Sequence, residues 1–302
     1  MGRTHDIGVL KNQQGETITT DHEKAEILNN YFSSVSIPDN GCCPQVASRA
    51  DSSTHLDNIT FTAELILKLC KKMKNKFSHG SDGYPPFLLK QIAPSIAEPL
   101  AQMFQSFMSV GKVPAAWKLA IIKPLFKKGA SSDPANYRPV SLTSVFSKLM
   151  EKVVVDELLK YLLLNKFITK QQHGFLSRKS TATNLLESLN DWTLSIENKV
   201  GISIAYIDFA KAFDSVNHNK LKAKLISYGI GGNLLLWIID FLSCRSLQTI
   251  VGNCLSSVAY ISSGVVQGSC LGPVLFLIYI NDLVDAFGES IISKLCADDV
   301  KI

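Results

Sequence analysis

In Gly201-Ile202-Ser203-Ile204-Ala205-Tyr206-Ile207-Asp208-Phe209-Ala210-Lys211-Ala212-Phe213-Asp214, β-branched and small residues alternate ahead of an acid. The alternation predicts a buried strand that delivers Asp208 at its end. A carboxylate there is costly unless a cation or a donor meets it. Far downstream, in Ser293-Lys294-Leu295-Cys296-Ala297-Asp298-Asp299-Val300-Lys301-Ile302, two aspartates interrupt an apolar run. Ser290 to Cys296 reads as a strand with the pair at its tip. The expectation is that Asp208 and Asp298 meet in space and share divalent cations, an arrangement suited to phosphoryl transfer.

The residues between them bear on the same place. Ser263-Gly264-Val265-Val266-Gln267-Gly268-Ser269-Cys270-Leu271-Gly272-Pro273 carries three glycines, which predicts close approach of backbone to a ligand. Pro273 then opens an apolar helix to about Phe287. Helices are expected over Asn219 to Tyr228 and Asn233 to Leu242. Strands are expected over Leu247 to Val251 and Val258 to Ser262, joined by a turn at Gly252-Asn253.

Upstream, Val145 to Leu164 is dense in Leu and Val and predicts a long helix. A second, Thr181 to Glu197, is expected to bury Leu185, Leu189, Trp192 and Ile196. The loop Gln172-His173-Gly174-Phe175-Leu176-Ser177-Arg178-Lys179-Ser180-Thr181 caps it, and His173 reads as an ordinary loop histidine. Pro139 makes Arg138 extended, so its guanidinium can project toward a phosphate. Trp117 to Gly129 is strand-like with basic residues around a turn. Phe61, Leu65, Leu69, Met73 and Phe77 predict an amphipathic helix whose other faces carry five lysines. Leu88, Leu89, Leu100, Met103, Phe104 and Phe107 read as helical core. Asp21 to Phe32 is a short helix capped by Asp21, with Ala25, Leu28 and Phe32 on one face. Pro38 to Asp57 reads as a loop.

The chain of 302 residues is 46% hydrophobic and 19% charged, which excludes a disordered chain. The apolar run Val274 to Ile280 is too short to span a bilayer. Seven cysteines with no C-x-x-C pair exclude a disulfide scaffold and a zinc finger. They fit an intracellular chain, as does the lack of a signal-like N-terminus. Charge is unevenly spread: residues 61–180 hold 19 basic against 7 acidic side chains, and residues 181–302 hold 8 against 11. The basic block predicts a nucleic-acid partner, and the acidic one predicts bound cations.

SDGYPPFLLK, WKLAIIKPLFKKG, NYRPVSL, HGFLSRKST, AYIDFAKAFDSV, SSGVVQGSCLGPVLFLIYINDL and CADD together resemble the reverse transcriptase domain of non-LTR (LINE-type) retrotransposons, of the jockey-like or CR1-like kind. The resemblance runs from about residue 60 to the end. It implies an α+β right-hand polymerase, with an N-terminal extension over 1–60, fingers over 61–180 and an antiparallel palm sheet packed on helices over 181–302. It implies RNA-directed DNA polymerase activity by two-metal nucleotidyl transfer to a primer 3′-OH, with Mg²⁺, or Mn²⁺ in its place. RNA template, DNA primer and deoxynucleoside triphosphates are the implied partners, and the nucleus the implied place of action. Asp208, Asp298 and its neighbour Asp299 match catalytic positions, with Asp208, Asp298 and the Phe209 carbonyl toward metal. Phe213 matches an aromatic gate against a ribose 2′-OH. Lys123, Arg138, Gln267 and Gly268 match nucleotide-binding positions, and Arg178 and Lys179 lie toward template. Cys296 stands where the family usually has Tyr or Phe, and Val266 where it usually has Pro. The chain ends three residues after Asp299, so the resemblance implies an absent thumb. The alternative is an inactive retrotransposon-derived fragment that retains nucleic-acid binding.

Overall fold

Ser144 starts a long helix that runs through the main core. Its hydroxyl accepts from the N–H groups of Phe146 and Ser147 and so satisfies two donors that the first helical turn leaves open. The helix it begins, Val145–Leu164, is α4 of a computed structural model. The structure describes all residues except 1–6, 13, 38, 40, 42–45, 52 and 289–290. The predicted loop Pro38 to Asp57, Cys42, Cys43 and Ser290 fall wholly or partly outside the described residues.

In chain order the elements are β1 (Leu10–Lys11), β2 (Thr17–Ile18), α1 (Asp21–Ser34), α2 (Ala63–Lys72), α3 (Pro86–Val110), β3 (Leu119–Phe126), β4 (Tyr137–Leu142), α4, α5 (Thr181–Glu197) and β5 (Tyr206–Ile207). They continue with α6 (His218–Ser227), α7 (Gly232–Leu242), β6 (Arg245–Val251), β7 (Cys254–Leu255), β8 (Ala259–Ile261), α8 (Gly272–Ile280), β9 (Lys294–Cys296) and β10 (Asp299–Lys301). The architecture is mixed α/β.

The main core packs α2, α3, α4, α6, α7 and α8 around Phe104, Met150, Leu158, Trp237 and Leu275. A larger sheet runs β4-β3-β6-β7, with β8 also on β6. β3 pairs antiparallel with β4 and parallel with β6, so residues from the basic block and the acidic block share one sheet. Ala25, Leu28 and Phe32 of α1 close a second core on that sheet with Ile122, Tyr137 and Leu247. A small antiparallel sheet, β5-β10-β9, holds the aspartates.

Several expectations are corrected. The strand before Asp208 is neither long nor buried. β5 has two residues and pairs only with β10, as an edge strand. Ile202 and Ile204 are more than a third exposed, and Tyr206 is 70% exposed. α5 has the expected bounds but the opposite orientation. Leu185, Leu189 and Ile196 are exposed, Trp192 is half-buried, and Asn184 and Ser188 are the buried residues. The reason is local: β9 and β10 offer polar partners. Asn184 donates to the Leu295 carbonyl and Lys301 donates to Ser188 Oγ.

Smaller corrections follow the same logic. Thr20, not Asp21, caps α1, accepting from the Glu23 N–H. α2 stops at Lys72 because Met73 turns extended; Ile66 and Cys70 are its buried residues, and Phe77 is 70% exposed. Leu88 lies on the outer side of α3. β6 turns at Gly252-Asn253 into β7, and β8 then returns along β6. Among the described residues the cysteines are free thiols, as expected. No described helix is long and apolar enough to cross a membrane.

Candidate active site

β10 is the middle strand of its sheet, and its register sets the site. Val300 stands opposite Ile207 on one side and Leu295 on the other. Asp208 therefore leaves the end of β5 beside the β9–β10 turn, Ala297-Asp298. Ala297 has φ +60°, the left-handed region, which costs a non-glycine residue about 1 kcal/mol or more. The turn thus carries strain one residue before Asp298, as functional turns often do.

Asp208 and Asp298 line one cavity of about 520 Å³. Asp298 is pushed above the ordinary carboxylate range, first by burial and then by the charges of Asp299 and Asp208, while Lys127 pulls it back. Asp208 itself is exposed, so water relieves the desolvation expected for it. Neither carboxylate has an ion-pair partner among the described residues. Two carboxylates that line one cavity without an ion-pair partner are a donor set that fits a hard divalent ion. No group of three His, Cys, Asp or Glu side chains forms a metal site among the described residues. The remaining ligands of such an ion would come from backbone carbonyl, water or substrate oxygen.

The rest of the lining has two characters. Lys127, Arg138 and Lys211 supply positive charge, and Phe209, Phe213 and Phe175 supply rings. Arg138 is extended in β4, as its following proline predicts, with Leu125 across from it. Phe213 stacks on Phe276 of α8 at 4.5 Å and 14°, and meets the edge of Phe175 at 5.9 Å and 73°. Gln267 also lines the cavity, and its Nε2 donates to both oxygens of Asp214 at 2.8 and 2.9 Å. Burial is the chief reason that the Asp214 carboxyl sits above its ordinary range, and Gln267 and Lys211 oppose it.

At the position a Cβ would take, the glycines of this loop meet protein, while Gly268 also lines the cavity. A Cβ on Gly268 would lie 2.6 Å from the Ser141 carbonyl oxygen, and one on Gly264 2.8 Å from that of Asp214. They let the loop lie against β4 and the Phe213-Asp214 turn, where Ser141 donates its N–H to the Gln267 carbonyl.

Of the predicted site residues, the cavity brings together Asp208, Phe209, Asp298, Arg138, Phe213, Gln267 and Gly268. Asp299 is exposed on β10, outside the lining. Lys123 lies further back on β3, opposite Val140, and Lys127 occupies the cavity instead. Arg178 and Lys179 are also outside it, and the Lys179 ammonium is bonded to the Lys170 carbonyl. Sequence reasoning missed Tyr31, Phe32 and Val35, which α1 and its end contribute to the lining. Lys211 Nζ lies 4.8 Å from the centre of the Tyr31 ring. Lys211 sits inside the motif around Asp208, so its charge was visible, whereas nothing in α1 marked it as part of a site. His173 lies in a loop, as read, but is buried: it is 1% exposed and bonded through Nδ1 to Thr183 Oγ1.

Comparison with known proteins gives a consistent result. A family model described as reverse transcriptase (RNA-dependent DNA polymerase) matches residues 126–302. The chain is 30% identical to an RNA-directed DNA polymerase from mobile element jockey of Drosophila melanogaster, over 97% of this chain and 33% of that protein. It is 28% identical to the jockey protein of Drosophila funebris over the same shares. Similarity extends to a Pol polyprotein from retrotransposable element R2 of Popillia japonica, 27% identical over 58% of this chain and 24% of that protein. The chain spans about a third of the length of the jockey relatives.

Proposed function

The chain belongs to the reverse transcriptase (RNA-dependent DNA polymerase) family, and on that premise we propose that it carries the nucleotidyl-transfer centre of a non-LTR retrotransposon polymerase. The observation that carries this reading is the single cavity lined by Asp208 and Asp298 together with Lys127, Arg138 and Phe213. Carboxylates and cations in one cavity suit a metal–triphosphate complex, which itself carries charges of both signs.

Asp208 and Asp298 hold the divalent ions, Mg²⁺ or Mn²⁺, with the Phe209 carbonyl as a further oxygen donor and Asp299 as the flanking acid. Bound there, the metal would lower the pKa of the attacking hydroxyl and offset charge on the leaving pyrophosphate. Arg138 binds phosphate oxygens with its planar fork, and Lys127, with Lys123 behind it, adds positive charge. Phe213, wedged between Phe276 and Phe175, lies under the sugar and leaves no room for a 2′-OH. Gln267, held by Asp214, and the Gly268 backbone border the incoming nucleotide. Arg178 and Lys179 lie toward the template. Residues 61–180 act as fingers and residues 181–302 as palm, with RNA template and DNA primer between them.

Primer extension on an RNA template tests this reading. Asp208→Ala is expected to reduce Mg²⁺-dependent extension to background. Extension at the wild-type rate would remove Asp208 from the centre. Phe213→Val is expected to raise ribonucleotide incorporation, and unchanged sugar choice would dismiss the gate.

A further inference from the structure

The strained turn ahead of Asp298 does not stand alone. Gln172, 2% exposed, accepts with Oε1 from the Ala297 N–H at 2.9 Å and from the Gly174 N–H at 2.7 Å. Gly174 lies directly under that turn: a Cβ there would come 2.3 Å from Ala297 N and 2.8 Å from its Cα. No side chain fits, and the neighbour is backbone, which cannot swing away. One residue on, Phe175 (φ +56°) places its ring edge against Phe213. Four consecutive residues therefore touch both the turn that carries Asp298 and the ring proposed as the sugar gate.

We infer that Gln172–Phe175 is a positioning clamp: Gln172 and Gly174 set the Asp298 carboxylate, and Phe175 sets the Phe213 ring. The inference rests on the reading of Asp298 as a metal ligand and Phe213 as the gate. Docking of the segment does not depend on the Gln172 side chain. His173 donates its N–H to the Leu295 carbonyl at 2.8 Å, and Leu295 donates to the Gln171 carbonyl at 2.9 Å. These backbone bonds hold the segment along β9. What the Gln172 amide adds is one acceptor for the N–H of the strained residue itself. Without it, Ala297 is free to leave the left-handed region, and Asp298 turns with it. Phe175 is half-exposed and meets Phe213 by an edge-to-face ring contact, so its loss frees one side of the Phe213 ring while Phe276 keeps the other.

The test uses the full chain and Mn²⁺ as a probe, with bound metal read by electron paramagnetic resonance. Gln172→Met keeps length and burial but removes the acceptor. It is expected to weaken Mn²⁺ binding about tenfold or more, as loss of a group that orients a metal ligand generally does, while unfolding stays cooperative. Asp298→Asn is the control. Wild-type affinity in Gln172→Met together with weakened binding in Asp298→Asn overturns the clamp. Wild-type affinity in both instead overturns the metal reading on which it rests. In parallel, the ratio of dATP to ATP affinity is measured by equilibrium binding. Phe175→Leu is expected to lower that ratio, less than Phe213→Val does, with Mn²⁺ binding unchanged. An effect of Phe213→Val without one of Phe175→Leu overturns the second half of the clamp, and no effect of either dismisses the gate. Should Gln172→Met fail to fold, Gly174→Ala, whose added methyl must displace the Ala297 backbone, carries the first half: weakened Mn²⁺ binding supports it and wild-type affinity overturns it.

Discussion

α4 and α5 are both long, leucine-rich helices, each capped by a serine, and they meet the rest of the molecule in opposite ways. α4 runs through the main core. Leu149, Met150, Val154, Leu158 and Leu162 are buried, and even its one buried acid is used: Glu151 accepts from Ser147 Oγ and from the Cys270 and Leu271 N–H groups. α5 lies against β9 and β10 by its polar side, through Asn184 and Ser188, and turns Leu185, Leu186, Leu189 and Ile196 to solvent. Beside it, Trp192, Val200, Ile202, Ile204, Ile291 and Ile292 line an open apolar cavity of about 590 Å³. The difference teaches that an apolar stripe specifies a helix and a face, whereas the partner of that face is decided elsewhere in the chain.

Stability measurements can break this contrast. The largest effect is expected in α4, where Leu158→Ala deletes a fully buried side chain and should cost about 2–5 kcal/mol in chemical denaturation. A cost near zero would mean that α4 is not the centre of the core. Next comes the polar contact of α5. Asn184→Leu removes one of the two donors to the Leu295 carbonyl, His173 N–H remaining, and should cost about 0.5–1.5 kcal/mol. If it stabilises instead, α5 is held by something other than its polar side.

A third change sharpens the contrast between a packed face and a charged site. Burial, then Asp299 and Asp208, hold the Asp298 carboxyl above its ordinary 3.8. A carboxyl raised on folding keeps its proton more readily in the folded state than in the unfolded one. Its contribution to stability is therefore greatest below pH 3.8 and falls as pH rises through the raised value. Asp298→Asn should raise the melting temperature of the metal-free protein at neutral pH, and the gap should close as pH falls below 3.8. A lower melting temperature at neutral pH would mean that the carboxylate is satisfied without a cation. The smallest effect is expected on the open face of α5. Leu189→Gln should change stability by no more than about 0.5 kcal/mol, and a loss as large as that of Leu158→Ala would show the face to be covered.

Local signals explain what the sequence disclosed. α4 and α5 begin and end where their apolar periodicity and serine caps place them, because capping and propensity act within a few residues. Arg138 is extended because its neighbour is proline. Asp208, Asp298, Phe213 and Gln267 were legible as a set through their motifs, and one cavity collects them. What was hidden depends on distant partners. The residues before Asp208 alternate like a buried strand, yet pair with β10 alone and stay exposed. Tyr31 and Phe32 reach the cavity only because α1 packs on the β3–β6 sheet. The tie from Gln172 to Ala297 spans 125 positions and leaves no trace in either segment.

The central claim is that Asp208 and Asp298 bind the same cations. A crystal of the protein soaked with Mn²⁺ and a non-hydrolysable deoxynucleoside triphosphate, with anomalous scattering recorded at the manganese edge, tests it most directly. The account predicts manganese peaks in the cavity, at least one of them bridged by carboxylate oxygens of both residues. Manganese bound by one aspartate alone, or found only outside the cavity, would contradict it.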